Sequence, residues 1–174
     1  MFDRLRIFND VIRQLLHPGE EPRALQNASY FNGEEDLGQP KPDLASELAD
    51  VALLWHSAYF QGLADRLVSG RSLIGWPGCE AQTLARAIGL HDLLVTDRRL
   101  LVVDLDDSPR PHIVWERDRM HIVRIRRAPR LLQAGRIWVL MADGSAVSLM
   151  LGAVSARGAK RVVEAWGEVP GTAQ

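Results

Sequence analysis

One cysteine and five histidines are the residues of this 174-residue chain best suited to nucleophilic or metal chemistry. A Cys–His pair acts as nucleophile and base only when a third group orients the base. No flanking sequence around Cys79 or His91 supplies one. His17, His56, His91, His112 and His121 lack the H-x-x-x-H spacing of a metal site, and a single thiol cannot build a zinc centre. The glycines spell neither a dinucleotide fingerprint nor a Walker A loop. The expectation is therefore no catalytic residue, no metal and no cofactor, hence a non-enzyme.

The strongest concentration of one chemistry is cationic. Residues 117–136 hold Arg117, Arg119, Arg124, Arg126, Arg127, Arg130 and Arg136, with Asp118 as the single acid. Arg124, Arg126, Arg127, Arg130 and Arg136 form the candidate binding patch. Such a patch suits an acidic protein surface, an anionic lipid surface or nucleic acid, although it lacks the interleaved aromatics of a strong nucleic-acid signal. Two readings compete with binding. The arginines can be a solvated strand face that discourages edge pairing. Alternatively, acids of the N-terminal half such as Glu34, Glu35 and Asp36 dock on them. That half is the acidic one: residues 1–97 carry 14 acidic and 8 basic side chains, a balance of −6, against 8 and 13, a balance of +5, in residues 98–174.

The elements that must position these residues are legible in the hydrophobic pattern. Leu5, Phe8, Val11, Ile12, Leu15 and Leu16 recur at helical spacing and predict a helix over residues 3–16, stopped by His17-Pro18-Gly19. A Gly-, Pro- and acid-rich loop follows. A second helix is expected over 44–69, capped by Asp43 and ended by Gly70. Its stripe of Trp55, Tyr59 and leucines suits packing on the rest of the chain, or self-association if left uncovered. A short third helix is expected at 80–88.

Beyond it the texture is that of strands, expected at 92–96, 99–104, 112–116, 120–127, 136–142 and 145–151, with an opening strand at 71–76. Asp97-Arg98 and Asp143-Gly144 mark tight hairpins. In the strand at 120–127, Val123 and Ile125 share one face, expected to meet the core, and Ile122, Arg124 and Arg126 share the other, expected to meet the solvent. A last helix at 155–166 should bury Trp166. The organisation read from this is a helical N-terminal segment (1–70), a β domain (71–167) and a tail (168–174).

Apolar residues make up 47% and charged residues 25% of the chain, so a core can form without disulfides. No apolar stretch approaches the length of a membrane span, and the charged N-terminus is unlike a secretory signal. A cytoplasmic protein is expected.

Seven short antiparallel strands followed by one helix is the order of a PH-like domain. The stretch Thr96-Asp97-Arg98-Arg99-Leu100 resembles the T-[DN]-x-R-L hairpin of GRAM and bacterial PH-like domains, and Trp166 stands where PH domains place a Trp against the barrel. The resemblance covers residues 71–167. It implies an α+β fold, a small antiparallel β-barrel closed by a helix, with Thr96, Gly144 and Trp166 in structural roles. The segment 77–89, where lipid-binding PH domains gather basic residues, holds only Arg86. The function expected is a non-catalytic adaptor whose partner is another protein. Anionic membrane and nucleic acid, through residues 117–136, are the alternatives.

Overall fold

The computed structural model describes residues 4–30, 72–89, 91–105, 110–130, 133–152 and 155–167. The helix expected over 44–69, the loop before it and the tail 168–174 lie outside these residues. Within them the chain is α+β, with two antiparallel sheets.

The N-terminal stripe folds as two short helices, α1 (Arg4–Ile7) and α2 (Asn9–Arg13), interrupted at Phe8. The next element was not legible in the sequence. Pro22–Asn27 form strand β1, although only Ala24 and Leu25 of PRALQN are apolar and no alternation marks them. Proline at the first position is tolerated because β1 is an edge strand. The N-terminal segment is thus not helical throughout, and the first sheet draws a strand from well before residue 71. The opening strand expected at 71–76 shrinks to β2, Leu73–Ile74. Helix α3 spans Glu80–Ile88, the bounds expected for the short third helix.

Strands β3 (Asp92–Thr96) and β4 (Arg99–Asp104) form the hairpin expected around Asp97-Arg98. Then follow β5 (His112–Asp118), a 3-10 turn (Arg119–His121), β6 (Ile122–Arg127), β7 (Arg136–Met141), β8 (Ala146–Met150) and helix α4 (Arg157–Gly167). The first sheet has the order β1-β3-β4-β5 and the second β2-β8-β7-β6. An isolated bridge between Ser29 and Met150 links the chain just after β1 to β8.

The unbroken apolar runs of β3 and β4 are explained by burial on both faces. Leu93, Val95, Leu100 and Val102 point into the main core, where they meet Ile125, Ile137, Val139, Val147 and Leu149 of the second sheet, Leu84 and Ile88 of α3, and Val162 and Trp166 of α4. Leu94, Leu101 and Val103 point the other way and join Leu25 and Ile12, with Leu5, Phe8, Leu15 and Leu16 packed against them. The N-terminal helices are therefore the cover of the first sheet's outer face. Trp166 is only 7% exposed.

Two local details depart from the sequence-based expectation. The β7–β8 connection is a three-residue loop, because Met141 and Ser145 still pair (N to O, 2.9 Å) and the Gly144 amide donates to Met141 O at 3.2 Å. Gly144 sits at φ +88, the left-handed conformation that closes such a loop. In β6 the register shifts between Ile122 and Arg124. The extra residue breaks the two-residue period, so Ile122, expected on the arginine face, turns inward with Ile125, while Val123, expected in the core, is 68% exposed.

Candidate functional site

The arginines of this chain divide into locked and open ones. The most firmly locked is Arg99, the last residue of the Thr96-Asp97-Arg98-Arg99 turn. Its Nε donates to Glu20 Oε1 at 3.0 Å and its Nη2 to Glu20 Oε2 at 2.5 Å, a bidentate pair with both side chains buried. Its Nη1 bonds Glu116 of the neighbouring strand. Thr96 Oγ1 donates to Glu20 Oε1 at 2.7 Å while accepting the amides of Arg98 and Arg99. The His17 amide donates to Glu20 Oε2 at 3.0 Å. Burial by itself would push the Glu20 carboxyl up. The hydrogen bonds from Arg99, His17 and Thr96, with the Arg99 charge, outweigh it and hold the pKa at about 2. The pairing raises the pKa of Arg99 in turn, with Glu20 as the main cause. Around this pair, the Glu21 amide donates to Asp97 Oδ1 at 2.9 Å and Arg98 donates to Gly19 O at 2.9 Å. The His17–Glu21 turn is thereby stapled onto the β3–β4 hairpin.

Three further arginines of the basic stretch are also engaged. Arg117 pairs with Glu80 at 2.7 Å and lies 5.4 Å from the Trp115 ring. Arg119 lies 4.1 Å over the Trp166 ring and donates to the Trp166 carbonyl. Burial first, then the Arg23 charge, lowers its pKa. Arg136, expected in the exposed patch, is 4% exposed. Its Nε donates to Ser148 Oγ at 2.5 Å and its guanidinium lies 5.7 Å from the Trp138 ring. Burial, then the nearby Arg130 charge, lowers its pKa. The reason for the misplacement is topological: β7 is an inner strand of its sheet, flanked by β8 and β6, so its side chains have neighbours on both sides.

The open arginines of the basic stretch are Arg124, Arg126, Arg127 and Arg130, all exposed. None has an ion-pair partner among the described residues. Arg124 and Arg126 face solvent together, as their spacing predicts, and stand beside Leu140 and Trp138 of β7. The strand that carries them is the edge of the second sheet. Met120, 79% exposed in the preceding 3-10 turn, and Val123 on the bulge add two apolar side chains at its start.

Gly144 and its neighbour serve a structural purpose. Asp143 accepts from the Ser145 hydroxyl at 2.6 Å and from the amide of Glu80 at 2.9 Å, so the hairpin loop also caps α3. Burial would raise the Asp143 pKa, but the hydrogen bonds, the Ser145 hydroxyl foremost, lower it overall.

The structure does not bring Cys79 and His91 together. Cys79, buried, is the N-cap of α3, and His91 follows its other end. The nine-residue helix that lies between them is about 13 Å long. Among the described residues no group of His, Cys, Asp and Glu is placed to hold a metal, and no helix is long and apolar enough to cross a membrane.

The sequence reading missed Glu20 and Arg99. The carboxylate follows a His-Pro-Gly turn and looks like any surface acid; its partner lies 79 residues away. No family model, curated protein or solved structure matches the chain.

Proposed function

We propose that this chain is a non-catalytic, PH-like binding module of the cytoplasm that engages another protein through the arginine edge of β6. The observation that carries the reading is the open cluster itself: four exposed arginines without ionic partners among the described residues, three of them on the edge strand of a sheet and Arg130 just beyond its end. A charge cluster of this kind raises the local positive potential well above what a net charge of −1 suggests. The PH-like reading rests on the order of the elements. One meander, β1-β3-β4-β5, turns through the 3-10 residues into a second, β6-β7-β8, and the C-terminal helix packs on both sheets. On this reading the first barrel strand is β1, and residues 28–91 are an insertion between the first and second strands.

The decisive comparison uses the intact chain and a combined Arg124→Ala, Arg126→Ala, Arg130→Ala variant as bait. Salt-sensitive capture of a protein by the wild type and not by the variant is expected. Equal capture by both would sink the reading. The exposed Met120 and Val123 favour a second reading, contact with an anionic membrane, in which apolar tips enter the interface beside the arginines. Co-sedimentation with phosphatidylserine vesicles, in the absence of protein capture, would decide for it.

A further inference from the structure

The hydrogen-bond ladder tells which main-chain groups β6 leaves free. The Ala128 amide donates to Arg136 O at 2.9 Å. From there the register runs back without a shift through Arg127↔Ile137, Arg126↔Trp138, Ile125↔Val139 and Arg124↔Leu140. Bonded and non-bonded positions alternate in an antiparallel pair. The N–H and C=O of Arg126 and Arg124 therefore point at β7, and those of Ile125 and Arg127 point away from it. No strand lies beyond β6 in its sheet, and no backbone bond to these two residues from that side occurs among the described residues.

We propose that this free edge receives an extended acidic segment of a partner protein as an added strand, with carboxylates at every second position set against Arg124 and Arg126. The inference rests on the binding role proposed above and names its mode and the chemistry of the partner. Strand addition draws affinity from the main chain and selectivity from alternate side chains. Here the alternate side chains are cations on the solvent face. Opposite charges placed across a strand pair attract and like charges repel. A second copy of this chain offering its own β6 would set arginine against arginine, so the features that welcome an acidic strand also reject self-pairing.

The test uses the full chain, labelled with nitrogen-15, and two synthetic probes. One is a peptide alternating valine and glutamate; the other has the same sequence with N-methylated amides, so it keeps the charge but cannot pair. The unmethylated peptide should bind at least about tenfold more tightly, the difference of a few net hydrogen bonds. It should slow hydrogen exchange at the Ile125 and Arg127 amides, and weaken as salt is raised. Arg124→Glu with Arg126→Glu should abolish the binding, and the neutral pair Arg124→Gln with Arg126→Gln should weaken it. Equal binding of both peptides, without protection at Ile125 and Arg127, would overturn strand addition and leave the arginine patch standing. Binding of neither peptide would overturn it too, and the capture assay above then decides separately whether the wider reading stands. Binding to phosphatidylserine vesicles alone would overturn it in favour of a membrane surface.

Discussion

Arg99 and Arg126 are both strand arginines, each beside apolar neighbours in sequence, yet they have opposite fates. Arg99 closes a hairpin onto which the N-terminal turn folds, so it is buried with Glu20, Thr96 and Glu116 around it. Arg126 stands on the edge strand of the other sheet with no ionic partner among the described residues. Removing a charge from water is costly unless a partner and hydrogen bonds replace the lost hydration. Arg99 has those replacements and Arg126 keeps its water. The lesson is that arginine count says little about binding surface. What matters is which guanidinium groups the fold has already used.

The largest effect should come from breaking the lock. Arg99→Met leaves the Glu20 carboxylate buried without its cation, which should cost about 3–5 kcal/mol in denaturant unfolding. An unchanged midpoint would show that the buried pair is not what fixes the N-terminal turn. Trp166→Ala should cost a similar amount, about 3–5 kcal/mol, because the ring fills the main core and supports Arg119. A variant with the wild-type melting temperature would contradict that packing.

Acid should undo the lock in a defined window. The Glu20 pKa is depressed from 4.5 to about 2 in the folded chain. Its contribution is therefore complete above pH 4.5 and is lost as pH falls toward 2. Its size at neutral pH is of order 3 kcal/mol. The stability difference between wild type and Glu20→Gln, measured by urea unfolding, should shrink through that window. A difference that stays constant down to pH 2 would mean that the carboxylate is not held by Arg99.

The smallest effect on stability belongs to the open edge. Arg124→Ala, Arg126→Ala and Arg130→Ala should each change unfolding free energy by no more than about 0.5 kcal/mol. Replacing Arg124 and Arg126 by valine should instead show in solution behaviour. Without its charges the edge becomes a template for self-pairing, and light scattering should report larger species. A large stability loss in the alanine variants would place these arginines with the locked ones.

Much of the local architecture was legible in the residues themselves. The β3–β4 hairpin, α3 ending before Gly89 and α4 with Trp166 inside all follow from apolar spacing and turn residues close in sequence. The outward direction of Arg124 and Arg126 followed from alternation as well. The features that were not legible are those set by contacts distant in sequence. Strand β1 carries too little apolar signal to announce itself, and its edge pairing with β3 makes it a strand. The bulge at Val123 inverts a face by one residue, which no period-two reading can foresee. Arg136 and Arg126 have the same chemistry, but β7 lies inside its sheet and β6 at its rim. Period and propensity are properties of neighbours along the chain, and they determined helices, strands and turns. Burial of a charge depends on what arrives from elsewhere in the fold, so only the tertiary structure decided which arginines are held and which remain open to a partner.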